Sequence, residues 1–257
     1  MLYVAVRAAR RAGDLLARMF DDRDSLSVEE KKDRDFVTEA DRKAEGLIVH
    51  EILKHYPTHG IVAEESGVRN PDADIVWHID PLDGTTNFIH GYPHFSVSIA
   101  AWKRGKPFLA VVHDPLRNET FEAQNGNGAF LNRRRLRVSP RRKLRDSIFA
   151  SGLPPYRRDE SPLFRKRLDA CIREASGFRR GGSAALDLAY VAAGRLDAYW
   201  EGGLCSWDVA AGILLVQEAG GMVTGLDGAT VDLKNGDVLA ANPLLHDQYR
   251  TLLASVD

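Results

Sequence analysis

The sequence predicts a layered α/β protein, antiparallel-rich in its N-terminal half and built on a mixed sheet in its C-terminal half. Three observations predict it. Between residues 60 and 138, short apolar or alternating runs follow one another with turn residues between them, the pattern of a strand meander. From Ile148 onward, strand-like runs alternate with helix-length stretches, so helices must layer on a sheet. No apolar run is long enough to span a bilayer, and no internal repeat or low-complexity tract interrupts the pattern.

The first element is an amphipathic helix over Met1–Phe20, with Leu2, Val6, Ala9, Leu16 and Phe20 at helical spacing. Its Arg-rich start, acid-free up to Asp14, also resembles a transit peptide. It lacks Ser and Thr, however, so a mature helix packed on the core is the expectation. Asp21–Asp24 breaks the helix, Leu26-Ser27-Val28 reads as a short strand, and charge-dense Glu29–Asp35 reads as an exposed mobile loop. Thr38-x-x-Asp41 has the form of a capping box. The helix it opens has Ala40, Ala44, Leu47, Ile48 and Ile52 on its apolar face and ends at Tyr56-Pro57. Gly60–Ala63 is a strand ending in Glu64-Glu65, and Ile75–Ile79 is a buried strand running into Asp80-Pro81-Leu82-Asp83-Gly84-Thr85-Thr86-Asn87. Phe95–Trp102 and Pro107–His113 form a hairpin across Arg104-Gly105-Lys106, and Thr120–Ala123 and Ala129–Leu131 add further strands.

In the second half, Ile148–Ala150, Leu196–Trp200, Met222–Thr224 and Val238–Ala240 read as strands. Leu163–Ala175, Ser183–Ala193, Val209–Ala219 and the stretch opened by Asn242-Pro243 read as helices. The expected division is a subdomain over 1–145 and a second over 146–257. Residues 133–145 hold Arg133, Arg134, Arg135, Arg137, Arg141, Arg142, Lys143 and Arg145. This basic stretch is either a solvated connection or a contact surface for nucleic acid or an acidic partner. With no aromatic residue interleaved, it is no base-stacking platform.

Composition excludes several classes. Apolar content of 44%, 28% charged residues and a formal charge of −1 are those of a globular protein with no global pull toward nucleic acid or membrane. Cys171 and Cys205 form no CxxC, which argues against a disulfide framework and suits a reducing, cytoplasmic compartment. His90 and His94 stand four apart, but Gly91 and Pro93 between them break the helix that such a zinc pair would need.

The chemistry gathers at strand ends. Asp80 and Asp83 close one apolar strand and Glu64 another, and consecutive strands usually neighbour each other, so these acids can converge on a hard divalent cation. Gly84, Thr85 and Thr86 can open a helix whose N–H groups hold a phosphate. The plain alternative is a tight turn, since X-Pro and Asp-Gly are ordinary turn signals. Asp41 and Asp208 likewise have a plain role as acids in the first turn of a helix.

Glu64-Glu65-Ser66, Asp80–Asn87 and Trp207-Asp208-Val209-Ala210-Ala211-Gly212, in this order and at these separations, resemble the inositol monophosphatase family. So do Asp35-Phe36-Val37-Thr38-x-x-Asp41 and Gly182-Ser183-Ala184-Ala185, and the stretch 179–190 is particularly similar to bacterial SuhB-type members. The resemblance spans essentially the whole chain. It implies an αβαβα sandwich, usually a homodimer. It also implies a lithium-sensitive, Mg²⁺-dependent phosphatase for myo-inositol 1-phosphate or similar small polyol phosphates.

Two or three Mg²⁺ per subunit are implied. Glu64, Asp80 and the Leu82 carbonyl would hold the first; Asp80, Asp83 and Asp208 the second; and a weaker third would use Glu64. Phosphate would lie at Asp83, Gly84, Thr85 and Thr86, and the alcohol at Gly182, Ser183, Ala184 and Glu201, with Arg179 and Lys31 as further substrate contacts. Either the Thr85–Asp41 pair or Glu64 would activate the attacking water. Oxygen-only ligands fit Mg²⁺ rather than Zn²⁺, and no Cys or Ser stands in the motif as a covalent nucleophile. The motif reads only the phosphate, so fructose 1,6-bisphosphate, histidinol phosphate and phosphorylated nucleotides stay open as substrates. Some bacterial relatives act in transcription antitermination and ribosomal RNA maturation, which would make transcription-complex proteins partners through residues 133–145. Two departures stand out. Ser183 replaces the Thr of many members, and Cys205-Ser206 replaces the Arg-Pro of some bacterial ones.

Overall fold

The structure, a computed structural model, describes residues 1–22, 28–32, 35–153 and 161–256, without the side chains of residues 28, 30–32, 35–37 and 161. The chain runs α1 (Leu2–Asp21), β1 (Val28–Lys32), β2 (Asp35–Thr38), α2 (Glu39–His55), β3 (Gly60–Ala63), β4 (Gly67–Arg69), β5 (Ile75–Asp83) and α3 (Thr85–Ile89). It continues with β6 (Ser96–Lys103), β7 (Lys106–Asp114), β8 (Glu119–Gln124), β9 (Gly128–Leu131) and β10 (Arg134–Arg135). Then come β11 (Ile148–Ser151), α4 (Ser161–Glu174), β12 (Gly177–Arg179), α5 (Ala184–Ala192), β13 (Ala198–Glu201), α6 (Ser206–Glu218), β14 (Met222–Thr224), β15 (Val238–Ala241) and α7 (Pro243–Ala254).

An eight-stranded sheet has the order β10-β9-β8-β7-β6-β5-β3-β4, and a five-stranded sheet has the order β12-β11-β13-β15-β14. The first is antiparallel except where β3 runs parallel to β5. The second is mixed, with β12, β11 and β13 parallel and β15 antiparallel to its neighbours. Strand alternation sends Val97, Ile99, Leu109 and Val111 to a core beneath α1 and α2. Their neighbours Ala100, Ala110 and Val112 point the other way, onto α5 and α6. Tyr199, Val238 and Ala240 of the second sheet close that middle layer, while Phe149, Trp200 and Leu239 face α4 and α7. Five layers result: helices, sheet, helices, sheet, helices. Strand pairing passes from one sheet to the other between Arg135 and Ile148, but the middle core takes side chains from both.

Local chemistry accounts for the elements. Arg104 and Gly105 both have positive φ, as a two-residue type I′ hairpin between β6 and β7 requires. Thr38 and Asp41 form the expected capping box of α2, and Asn242 caps α7 with Pro243 behind it. The buried stripe of α1 is mostly alanine: Ala5, Ala8, Ala9 and Ala12 are buried, whereas Leu2 and Val6 sit at its margin. Small residues let the helix lie close to the sheet. A Cβ on Gly13 would stand 2.5 Å from the His113 ring.

The expected loop over Glu29–Asp35 is corrected at residues 29–32 and 35, where β1 and β2 pair as an antiparallel two-stranded sheet, Val28 opposite Thr38; Asp33 and Arg34 lie outside the described residues. Density of charge there did not exclude strands. Leu26 and Ser27 of the proposed short strand, and the side chain of Lys31, lie outside the described residues. The basic stretch is exposed and links the two sheets. Within it Arg141 reaches buried Asp197 at 3.2 Å, so it has a structural partner. Among the described residues no helix is long and apolar enough to cross a membrane.

Helices α5 and α6 meet so closely that a Cβ on Gly212 would stand 2.4 Å from Leu188 Cβ. Gly212→Ala is therefore expected to lower unfolding stability by about 1–3 kcal/mol through overpacking. Denaturant titration followed by far-UV circular dichroism measures the change.

Candidate active site

A bulge at the end of β5 brings Asp80 and Asp83 together. Asp80 pairs with Ser98 and Asp83 with Ser96, so β5 spends three steps where β6 spends two. Ser96 and Ser98 share a face, and the extra residue puts both acids on that face. Without it, Asp80 and Asp83 would point to opposite sides of the sheet. The face is the one that receives the starts of α5 and α6: Ser98 Oγ donates to the Trp207 carbonyl at 3.2 Å, and Ser96 Oγ lies 3.4 Å from Ser183 Oγ. His78, two residues before Asp80, has Nδ1 2.9 Å from Ser206 Oγ, two residues before Asp208. That contact ties β5 to the first turn of α6. Glu64 enters from the parallel neighbour: Ala63 pairs with Ile79, and the Glu64 N–H donates to the Ile79 carbonyl.

Each aspartate is held by neutral donors. Asp80 Oδ1 accepts the Leu82 N–H at 3.0 Å. Asp83 Oδ2 accepts the Ser183 hydroxyl at 2.6 Å and the Ala185 N–H, in the first turn of α5, at 2.7 Å. Asp208 Oδ2 accepts the Cys205 N–H at 2.7 Å, in the capping box of α6. The three carboxyls are pushed up from the usual aspartate range, foremost by burial. Repulsion adds to this: from Glu64, Asp83 and Asp208 at Asp80, and from Asp83 and Glu64 at Asp208. The hydrogen bonds to Asp83 oppose its shift without cancelling it.

Asp41, fully buried in the first turn of α2, accepts the Thr38 N–H and hydroxyl on Oδ2 at 2.9 and 2.6 Å. Its Oδ1 accepts the Thr85 hydroxyl at 2.9 Å, and the Leu82 carbonyl lies 3.1 Å from the same hydroxyl. Burial raises the Asp41 pKa despite these donors. Gly84, at φ +105°, makes the turn into α3, in a conformation that L side chains rarely adopt. The His94 carbonyl, 3.1 Å from where its Cβ would stand, leaves little room as well. Five residues cannot hold a helix alone. Phe88 of α3 packs against Phe20 and Phe95 with ring centroids 5.6 and 5.1 Å away, and Asn87 Nδ2 donates to the His94 and Gly181 carbonyls.

The far wall comes from the second sheet. Ser183 caps α5, with Gly182 and Ala184 beside it. Glu201 ends β13, buried and with its pKa pushed up to about 7 by burial. Arg180, absent from the sequence-derived set, opposes the negative charge of Asp83, Asp187 and Glu201. Asp187 was also unforeseen; it is buried and repelled by Glu201 and Asp83. Only its place one turn into α5 could have drawn notice to it. Arg179 is exposed and lines a cleft of about 420 Å³ together with Arg180 and Asp187, and with Tyr92, His94 and Tyr190.

Among the described residues, no three His, Cys, Asp or Glu side chains already close around one point as a metal cage. The acids are gathered by burial and mutual field. Asp80, Asp83 and Asp208 accept hydrogen bonds from neutral donors, and as buried oxygen ligands of like charge they fit a hard cation.

The inositol monophosphatase family model matches residues 1–256. The Nus factor SuhB of Pseudomonas aeruginosa is 50% identical over 94% of this chain and 91% of its own length. The crystal structure of extragenic suppressor protein suhB from Bartonella henselae superposes with a TM-score of 0.94 at 44% identity, over 98% of this chain and 97% of that one. The structure of inositol monophosphatase from Anabaena (Nostoc) sp. gives a TM-score of 0.89 at 39% identity, over 100% of this chain and 96% of that one.

The raised pKa of Asp80 means that its ionisation works against folding. Its contribution is lost as pH rises from the ordinary aspartate range through the higher folded value. In EDTA at neutral pH, Asp80→Asn is therefore expected to melt higher than the parent, by about 2–4 °C for each kcal/mol of relief. Adding Mg²⁺ should raise the melting temperature of the parent and leave that of Asp80→Asn nearly unchanged, as calorimetry can check.

Proposed function

Because this chain belongs to the inositol monophosphatase family, we propose that it is a Mg²⁺-dependent phosphomonoesterase of small polyol phosphates, myo-inositol 1-phosphate foremost. The observation that carries this reading is the set of buried, mutually repelling carboxylates beside the left-handed turn at Gly84. Glu64, Asp80 and the Leu82 carbonyl would hold one Mg²⁺ and Asp80, Asp83 and Asp208 a second, with Glu64 available to a weaker third. Bound there, Mg²⁺ supplies charge neutralisation for the phosphate dianion and makes water more acidic.

The chain's own groups do the positioning. The Thr85 hydroxyl donates to Asp41, with the Leu82 carbonyl as a second acceptor, which leaves its oxygen to accept a hydrogen bond from an attacking water. Buried Asp41 is the stronger base for being desolvated. Glu64, at the end of β3, is the alternative proton acceptor. The N–H groups of Gly84, Thr85 and Thr86 would meet phosphate oxygens, since those of a helix's first turn have no intrahelical acceptor. Gly182, Ser183, Ala184 and Glu201 would face the alcohol, with Arg179 and Lys31 at its margin. A homodimer in the cytoplasm, inhibited by lithium, completes the proposal.

Asp83→Asn is expected to abolish phosphate release while the protein stays folded; normal turnover would refute the metal assignment. A panel of myo-inositol 1-phosphate, fructose 1,6-bisphosphate, histidinol phosphate and a nucleoside monophosphate, ranked by kcat/KM with and without Li⁺, identifies the alcohol.

Similarity to a protein named as a Nus factor favours a second reading, a regulatory role in a transcription complex through the exposed stretch 133–145. Charge reversal of Arg133 and Arg142 tests it better than reversal of Arg141, which would break the pair with Asp197. Retention of RNA polymerase and its elongation factors by the parent, lost in the double reversal, is the expected result. No retention at physiological salt removes this reading.

A further inference from the structure

We propose that Tyr199 and Gly152 are positioning residues that fix the Glu201 carboxylate against one hydroxyl of the substrate alcohol. The proposal rests on Glu201 being an alcohol contact. It adds the two groups that set the direction of that carboxylate.

Strand β13 is central in its sheet, flanked by β11 and β15. Along it Tyr199 and Glu201 face the middle helix layer, and Trp200 between them faces α4 and α7. Residues two apart on one face of a strand lie about 6.5–7 Å from each other, a span that a tyrosine ring bridges. The Tyr199 hydroxyl donates to Glu201 Oε2 at 2.8 Å. Tyr199 is wholly buried, so no bulk water competes for that bond. Burial and the neighbouring acids keep the phenol protonated, and thus a donor.

Gly152 acts from the other side. Ser151 of β11 is in register with Trp200, so the next residue stands beside Glu201 and on the same face. A Cβ there would lie 2.3 Å from Oε2 and 2.7 Å from Cδ and Oε1. The backbone of Gly152 does not have positive φ; glycine is needed for room. The carboxylate therefore lies flat against the Gly152 α-carbon with Oε2 bonded to Tyr199. Among the described residues Oε1 has no hydrogen-bond partner, which makes it the acceptor left for a substrate hydroxyl. Arg180, from the turn before α5, is the positive charge acting on the group. A carboxylate that could swing would accept a hydroxyl from several directions. One held in place selects among alcohols by where their hydroxyls stand.

The test compares two esters on the full chain with Mg²⁺: myo-inositol 1-phosphate and p-nitrophenyl phosphate, whose leaving group has no hydroxyl to place. Tyr199→Phe, which removes only the phenolic oxygen, is expected to raise KM for the inositol ester about tenfold. Its kcat should change little, and its kcat/KM for the aryl ester should match the parent, which also shows that it folds. Gly152→Ala moves the same carboxylate without touching the hydroxyl and should give the same pattern. Equal effects on both esters, or none on either, overturn the proposal. Glu201→Gln separates the two ideas. If it loses the preference for the inositol ester while Tyr199→Phe and Gly152→Ala keep it, the positioning role fails and the Glu201 contact stands. If Glu201→Gln keeps the preference as well, both fail.

Discussion

Carboxylates share a buried space at the end of β5, and their mutual repulsion is the constraint around which the rest is arranged. Burial penalises each charge and the neighbouring charges penalise it again. The fold contains this with donors that carry no charge: backbone N–H groups for Asp80 and Asp208, and a hydroxyl and an N–H for Asp83. Such donors fix where the oxygens point without cancelling their charge. What is left is a pre-shaped acidic site whose charges are costly to bury.

Its position follows from the layering. Helices α5 and α6 lie between the sheets, and both start at the face where the β5 bulge presents its acids. A helix start offers N–H groups and a favourable dipole to negative side chains. The same layer brings Glu201 from the second sheet to within electrostatic reach of Asp83. One side of the site thus comes from a mostly antiparallel sheet and the other from a mixed one. The two sides are coupled, because Ser183 and Ala185 at the start of α5 hold Asp83 of the first sheet.

Several elements were legible because one local rule decides each: the Arg104-Gly105 hairpin, the Thr38–Asp41 box and the Asn242 cap all follow from neighbours in sequence. Others were not. The pairing of β1 with β2 was hidden because the charge-dense run shows no apolar alternation. Strands β4 and β12 have only three residues each, too few for a period to emerge. Arg141 read as one member of a basic run, and only the fold placed Asp197 beside it.

By itself the sequence determined the family to which the chain belongs. Asp80–Asn87, Glu64 and Asp208 are ordinary singly, but their order and separations match one family. It also determined the strand and helix content on which they sit. Only the tertiary structure decided how these acids act on one another. A bulge register, a parallel neighbour and two helix starts distant in sequence set the burial and spacing that raise their pKa values. It alone also revealed Tyr199 and Gly152 around Glu201. Gly152 lies far from Glu201 along the chain, and the contact exists only because β11 and β13 pair in one register. Sequence motifs record residue types in order; fields and steric room depend on distances that only the packed chain defines.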